Sequence, residues 1–300
     1  MSREPAAVEG LSAAKALRLT FAAFRRHHAS RFGAALAFYI VFCIAPVLLI
    51  AIAIAGHVFG RQHAEEEILG RIGVSIGSAG GIAIAKMIRD ASPLRAGWLA
   101  TTLGLMSLYF GLSGMYREIA DALQTIWREN AIGVAASPGL TKKLSSFILV
   151  IAVGGVVLLS AIADAVIGAT GRYAAARLVG GEVLWQAAQL LLSTLVLTVL
   201  FAAMFRHLPH ARVAWRDVRL GAAVTAILFV VGKFALGIYL GKAAVGSAFG
   251  AAGSIVVVLL WSYWSAQIFF FGLEFTHVIY AQRREVVSHQ CFDRPRPRNE

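Results

Sequence analysis

The chain has 300 residues, of which 58% are apolar and only 15% charged, and its mean hydropathy is +0.71. A soluble domain is roughly 45–50% apolar and about 25% charged, so this chain has too little charge to solvate an ordinary surface and belongs in a bilayer. Its excess of 28 Lys and Arg over 16 Asp and Glu falls between long uncharged stretches, which is the charge pattern of a membrane protein and not of a nucleic-acid binder.

The N-terminal segment, 1–32, predicts an amphipathic helix between Ser12 and Ser30. Leu17, Phe21 and Phe24 recur at helical spacing while Lys15, Arg18, Arg25 and Arg26 take the other face, which suits a helix lying on an anionic inner leaflet. Six spans follow, because about 20 apolar residues cross the roughly 30 Å hydrocarbon core as a helix. They are expected at 33–59, 97–116, 144–165, 184–205, 219–240 and 252–280, the first four built on uncharged stretches of 29, 21, 20 and 23 residues. The first run is longer than the core of a signal peptide and reads as a retained span. Pro46 within it removes a backbone hydrogen bond and predicts a kink.

Between the first two spans, the Glu65-Glu66-Glu67 start followed by Ile68, Leu69, Ile72 and Ile76 reads as a helix capping the outer mouth of the bundle. After the second span, Ile119, Leu123, Ile126 and Trp127 predict a further interfacial segment, with Glu118, Asp121 and Arg128 facing water. The tail, 281–300, is basic and predicted to be disordered. Nineteen Lys and Arg fall in one set of alternate segments and eight in the other, which places both termini in the cytoplasm. The fold expected is therefore an all-α, multi-pass bundle of six transmembrane helices, residues 33–280, with interfacial helices outside the spans.

Lys233 and Glu274 lie inside the fifth and sixth spans. A charge buried in a span costs at least about 2.5–3.5 kcal/mol on insertion scales, so both are candidate functional residues. The alternative is a structural ion pair, or snorkelling to an interface. Counted from the cytoplasmic ends, Lys233 is about 21 Å deep and Glu274 about 13 Å, a mismatch that disfavours a tight pair. Glu274 is instead expected to meet Tyr39, Gln267 or a water-filled cavity. Tyr263 and Gln267 share one face of the sixth span at i and i+4, and both need polar partners within the bundle. Gly237 and Gly241, Gly246 and Gly250, and then Gly253 give spacings for close helix packing or for a broken helix.

No metal, cofactor or catalytic constellation is expected. The eight His are scattered without ligand spacing, and the two cysteines, Cys43 and Cys291, form no framework. There is no nucleotide-binding P-loop, GxSxG elbow or HExxH.

Gly33-Ala-Ala-Leu-Ala-Phe-Tyr-Ile-Val-Phe-Cys-Ile-Ala-Pro46, Gly111-Leu-Ser-Gly-Met, Ala122-Leu-Gln-Thr-Ile-Trp127, Gly246-Ser-Ala-Phe-Gly-Ala-Ala-Gly-Ser254, Trp261-Ser-Tyr-Trp-Ser-Ala-Gln267 and Gly272-Leu-Glu-Phe-Thr276 resemble the YihY/BrkB family of bacterial inner-membrane proteins. The likeness covers about residues 15–283. It implies six helices and an inner-membrane location, with links to virulence and envelope integrity and suggestions of lipid transport. An older label for the family, ribonuclease BN, finds no nuclease cluster in these residues. The leading expectation is a non-enzymatic protein that moves or exposes a lipid or lipid-linked envelope substrate, proton-coupled through Glu274. The alternative is a structural scaffold for envelope integrity. Expected partners are anionic inner-leaflet lipids, with a homo-oligomer or an envelope-assembly partner left open, and no nucleic acid.

Overall fold

The structure is a computed structural model. It describes residues 13–60, 62, 65–66, 68–70, 81–88, 98–127, 181–207, 215–242 and 253–292. Among the described residues the chain is helical, with no strand. The principal helices are α1 (Ala13–Arg26), α2 (Ala29–Phe59), α3 (Trp98–Trp127), α4 (Gly181–His207), α5 (Trp215–Lys242) and α6 (Gly253–Phe292).

Three of these contain stretches long and apolar enough to cross a membrane: Ala29–Ala53, Val218–Leu240 and Ile255–Arg283. Leu190–Arg206 is a shorter apolar stretch within α4. The span expected at 144–165 lies outside the described residues. Large apolar side chains such as Met106, Tyr109, Leu191, Val231, Phe234 and Ile238 are exposed, on a scale that water would penalise and acyl chains accommodate.

Each observed helix overruns its expected span, and the reasons are local. α2 begins at Ala29 because only His27 and His28 separate it from α1. His28 adopts φ 52°, ψ 37°, a left-handed conformation that costs most side chains energy but in which histidine is enriched. That single residue turns the chain from α1 into α2. α3 runs unbroken to Trp127, so the segment expected as a separate interfacial helix is the last part of α3. Ile119, Ala122, Leu123, Ile126 and Trp127 are buried on one side of it, while the charges of Arg117 and Asp121 stay exposed. α6 continues to Phe292, making 281–292 helical where a disordered tail was expected.

Pro46 sits inside α2, and the helix continues through it. Proline lacks the N–H that would bond the carbonyl four residues earlier. That carbonyl, Phe42 O, instead accepts a hydrogen bond of 3.0 Å from Ser107 Oγ of α3, as freed backbone groups in membranes require. Nearby, Gly111 faces Cys43 and the Tyr39 carbonyl, and Gly114 lies under the Tyr39 ring. These glycines let α3 approach α2 closely enough for the serine to reach.

The helices pack in the lateral order α3, α2, α6, α5, α4, with α1 against α6. α6 is the centre, and it runs antiparallel to both of its main neighbours. Against α5, Thr276 lies over Gly221 and Thr225 over Gly272, so two Gly-x-x-x-Thr segments interlock reciprocally. Each threonine satisfies its hydroxyl within its own helix, Thr225 donating to Gly221 O at 2.6 Å and Thr276 to Gly272 O at 2.8 Å. Further along, Gly232 faces Trp264 and Ile268.

Two apolar clusters hold the bundle. The larger draws on α2 to α6 and includes Leu36, Leu123, Phe205, Ala222 and Phe270. It lies toward the end where α2 and α5 start, which also carries Arg26, Arg31, Arg206, Arg216, Arg219 and Arg283. At this basic end the Arg206 guanidinium sits 4.0 Å from the Trp215 ring centroid, fastening the α4–α5 hairpin. The second cluster joins Ile52, Leu236, Leu240 and Val257 at the opposite end to Ala83, Ile84 and Ile88 of the helical stretch 81–88. Ile68 and Leu69 pack onto it.

Candidate functional site

The polar core of the molecule lies at the basic end of α6. Glu274 is completely buried, and its Oε1 is 2.7 Å from His27 Nδ1, a side chain itself 8% exposed. The two residues are 247 positions apart in sequence. His27 reaches the carboxylate because the turn at His28 brings the α1–α2 junction against α6. One proton between carboxyl and imidazole gives either an ion pair or a neutral hydrogen bond.

One turn further along α6, His277 is 5% exposed and meets the Trp127 ring edge-on, with centroids 5.0 Å apart. Tyr280 lies 5.2 Å from the same ring. The α1–α2 junction, α6 and the end of α3 thus share one polar and aromatic knot. His27 Nε2 and Trp127 Nε1 are buried within it without a hydrogen-bonding partner among the described residues. Buried polar atoms of this kind are costly and are usually kept for a reason.

Gln267 is the second polar residue that α6 directs at α2. It lies over Gly33 and donates from Nε2 to Ser30 O at 3.1 Å. Glu274 and Gln267 therefore both meet the start of α2. The remaining candidates sit elsewhere. Tyr39 turns to α3, over Gly114 and between Phe38 and Phe110 at 5.5 and 5.8 Å, so the expected approach of Tyr39 to Glu274 is replaced by His27. Lys233 follows Gly232, which faces Trp264 and Ile268, about 15 and 9 Å along α6 from Glu274. Its Nζ is 6.0 Å from the Phe234 ring centroid. Tyr263 is half-buried, next to Ser262, whose buried hydroxyl has no partner among the described residues.

The expected glycine packing at Gly237 is not found. Among the described residues a side chain there would meet nothing within 4 Å, because that part of α5 faces outward with Ile238 and Tyr239. Gly246 and Gly250 lie outside the described residues, as does the side-chain environment of Gly241. Gly253 is buried at the start of α6. Close approach is made instead by Gly33, Gly111, Gly114, Gly221, Gly232 and Gly272.

Outside the expected spans, Glu118 has its carboxyl pushed above the ordinary range, first by burial and then by the negative Asp121, with Arg31 opposing. Among the described residues no three His, Cys, Asp or Glu converge to hold a metal ion.

Apolar helices of spanning length, outward-facing hydrophobic surface and charges gathered toward one end define an all-helical membrane protein. The chain belongs to the family described as Virulence factor BrkB, whose profile matches residues 20–295. It is similar to a UPF0761 membrane protein of Azotobacter vinelandii, 26% identical over 276 residues that make up 89% of this chain and 64% of that protein. A UPF0761 membrane protein of Ralstonia nicotianae is 25% identical over 202 residues, 64% of this chain and 44% of its own. One from a Psychrobacter species is 20% identical over 264 residues, 88% and 48% of the two chains. The matched region thus covers between 44% and 64% of these relatives' length. No solved structure matches.

The residues that carry the family resemblance are largely the contacts just described. Gly33 meets Gln267, Gly111 and Gly114 meet Cys43 and Tyr39, Trp127 meets His277, and Gly272 and Thr276 interlock with Thr225 and Gly221. His27 was missed from sequence, since nothing in local spacing ties it to α6.

Proposed function

We propose that the protein is a multi-pass inner-membrane protein that moves or exposes a lipid or lipid-linked envelope precursor, with the His27–Glu274 pair as its protonatable element. The observation that carries this reading is the buried carboxylate hydrogen-bonded to an imidazole at 2.7 Å, at the junction of α1 with the first span. By the excess of Lys and Arg at this end, the junction is cytoplasmic. His27 precedes the start of α2 by two residues, so Glu274 meets it at the end of the first span, shallower than the depth of about 13 Å counted along α6. A group that gains and loses a proton there is placed to act on the polar end of a substrate whose apolar part stays among acyl chains. Movement draws on a gradient or a partner, since the chain carries no nucleotide-binding loop.

A specific observation favours a second reading, a non-transporting scaffold. The interlocked Gly221–Thr276 and Thr225–Gly272 contacts pack α5 directly on α6, which leaves no room for a substrate at that point between the described residues. The transport reading then needs a path along another face of α6.

Purified protein in liposomes, scored for transbilayer movement of fluorescent phospholipids and of an undecaprenyl- or lipid A-like substrate, separates the two. Movement by wild type and by Gly237→Ala, lost in Glu274→Gln and His27→Gln, is the expected result. No movement of any lipid by folded wild-type protein would overturn the transport reading in favour of the scaffold.

A further inference from the structure

α1 divides its surface three ways. Ala16, Thr20 and Ala23 are buried on the side packed against α6. Phe24 adds a ring contact to Phe271 at 6.0 Å, and the Thr20 hydroxyl is satisfied by Ala16 O at 2.8 Å. At 3.6 residues per turn, Leu17 and Phe21 fall to one side of that buried face, Arg18 and Arg25 lie opposite it, and Lys15 falls to the other side with Leu19. Leu17 is 45% exposed and Phe21 57%, and the three basic side chains are exposed as well. The helix contains no Asp or Glu.

A helix using α6 simply as a hydrophobic support would bury its largest apolar side chains there. Here the small residues and Phe24 take the protein contact, and Leu17 and Phe21 are left outside, beside positive charge. His27, bound to Glu274 at the end of α1, holds the helix against α6 in this orientation. The first span starts at Ala29, within a turn of Arg25, so the face lies next to the membrane boundary.

The geometry points to the outer face of α1 as a docking surface for anionic phospholipid. Lys15, Arg18 and Arg25 meet headgroup phosphates, and Leu17 and Phe21 enter the acyl region. Charge complementarity selects this occupant, and the apolar flank continues the outward-facing hydrophobic surface of the spans. The inference does not depend on whether the protein moves lipid.

The test is amide hydrogen exchange of residues 13–26 in the full-length protein, held in nanodiscs of phosphatidylcholine alone or mixed with phosphatidylglycerol. The mixed discs are expected to raise protection by roughly fivefold for each basic residue engaged. High salt should erase the increment. The combined variant Lys15→Gln, Arg18→Gln, Arg25→Gln should lose it, while unchanged exchange in α5 reports an intact fold. Equal protection of wild type in the two lipids would overturn the inference and leave the face to a protein partner. An increment that survives in the triple variant would overturn it too.

Discussion

Ser107→Ala tests how α2 continues through a proline. Pro46 deprives Phe42 O of its helical donor, and Ser107 Oγ supplies one at 3.0 Å. Phe42 is 39% exposed on the outer side of the bundle, where acyl chains offer no replacement. Interhelical hydrogen bonds in membranes average about 0.6 kcal/mol and reach about 1.7 kcal/mol. This carbonyl has lost its intrahelical donor too, so the cost should fall near the upper figure, about 1.5 kcal/mol, or roughly a tenfold change in the unfolding equilibrium. Pro46→Ala restores the N–H and makes the serine redundant, so the same Ser107→Ala change should cost close to nothing in that background. Reversible unfolding in mixed detergent micelles, followed by loss of helix, gives the four corners of the cycle, with an expected coupling of about 1.5 kcal/mol. An equal cost in both backgrounds would refute the reasoning, because the hydroxyl would then not be standing in for the missing amide.

Gly272→Ala drives a methyl group into Thr225 and should cost about 1–3 kcal/mol as overpacking. Thr225→Gly in the same chain should recover much of that loss, whereas Gly237→Ala, which meets open space, should lose nothing; a Gly272→Ala protein as stable as wild type would contradict the interlock. Glu118 is held above the ordinary carboxylate range, so the folded chain keeps that proton to higher pH than the unfolded chain. Its ionisation opposes folding, and stability falls as pH rises from the unfolded value through the folded one. Glu118→Gln should remove that slope and gain on wild type from mildly acid to neutral pH. Unfolding midpoints that track wild type across this range would count against the assignment.

The three stretches long and apolar enough to cross a membrane were legible because lipid excludes charge, and charge-poor stretches mark where helices can cross. Their ends were not, since a helix does not stop where its hydrophobicity does. Arg117, Glu118 and Asp121 interrupt the apolar run of α3, yet the helix carries them beside a buried Leu123 and Ile126 and goes on to Trp127. Glu274 was legible as exceptional from its place in an apolar run. Its partner was not, because His27 comes within reach only through the left-handed turn at His28. The glycine spacing at Gly237 misled for a general reason: small residues at i and i+4 say that backbones can approach, and only the rotation of the helix says whether another backbone is there. The same spacing with threonine at its second place, Gly221 to Thr225 and Gly272 to Thr276, marks the interface that α5 and α6 make.

The lateral order of the helices bears on how the protein is made. Among the described residues α2 with α3 and α4 with α5 each form a contacting pair, and the main contacts that join the two pairs run through α6, which comes last of the principal helices in the chain. Helices that insert as they are synthesised pair first with what has already emerged. Both earlier pairs therefore wait in the bilayer with Gly33, Gly221 and Thr225 turned toward a neighbour not yet translated. The final helix works as a keystone. A chain cut short before residue 253 would show quality-control proteases the faces that Gln267, Gly272 and Thr276 would have covered.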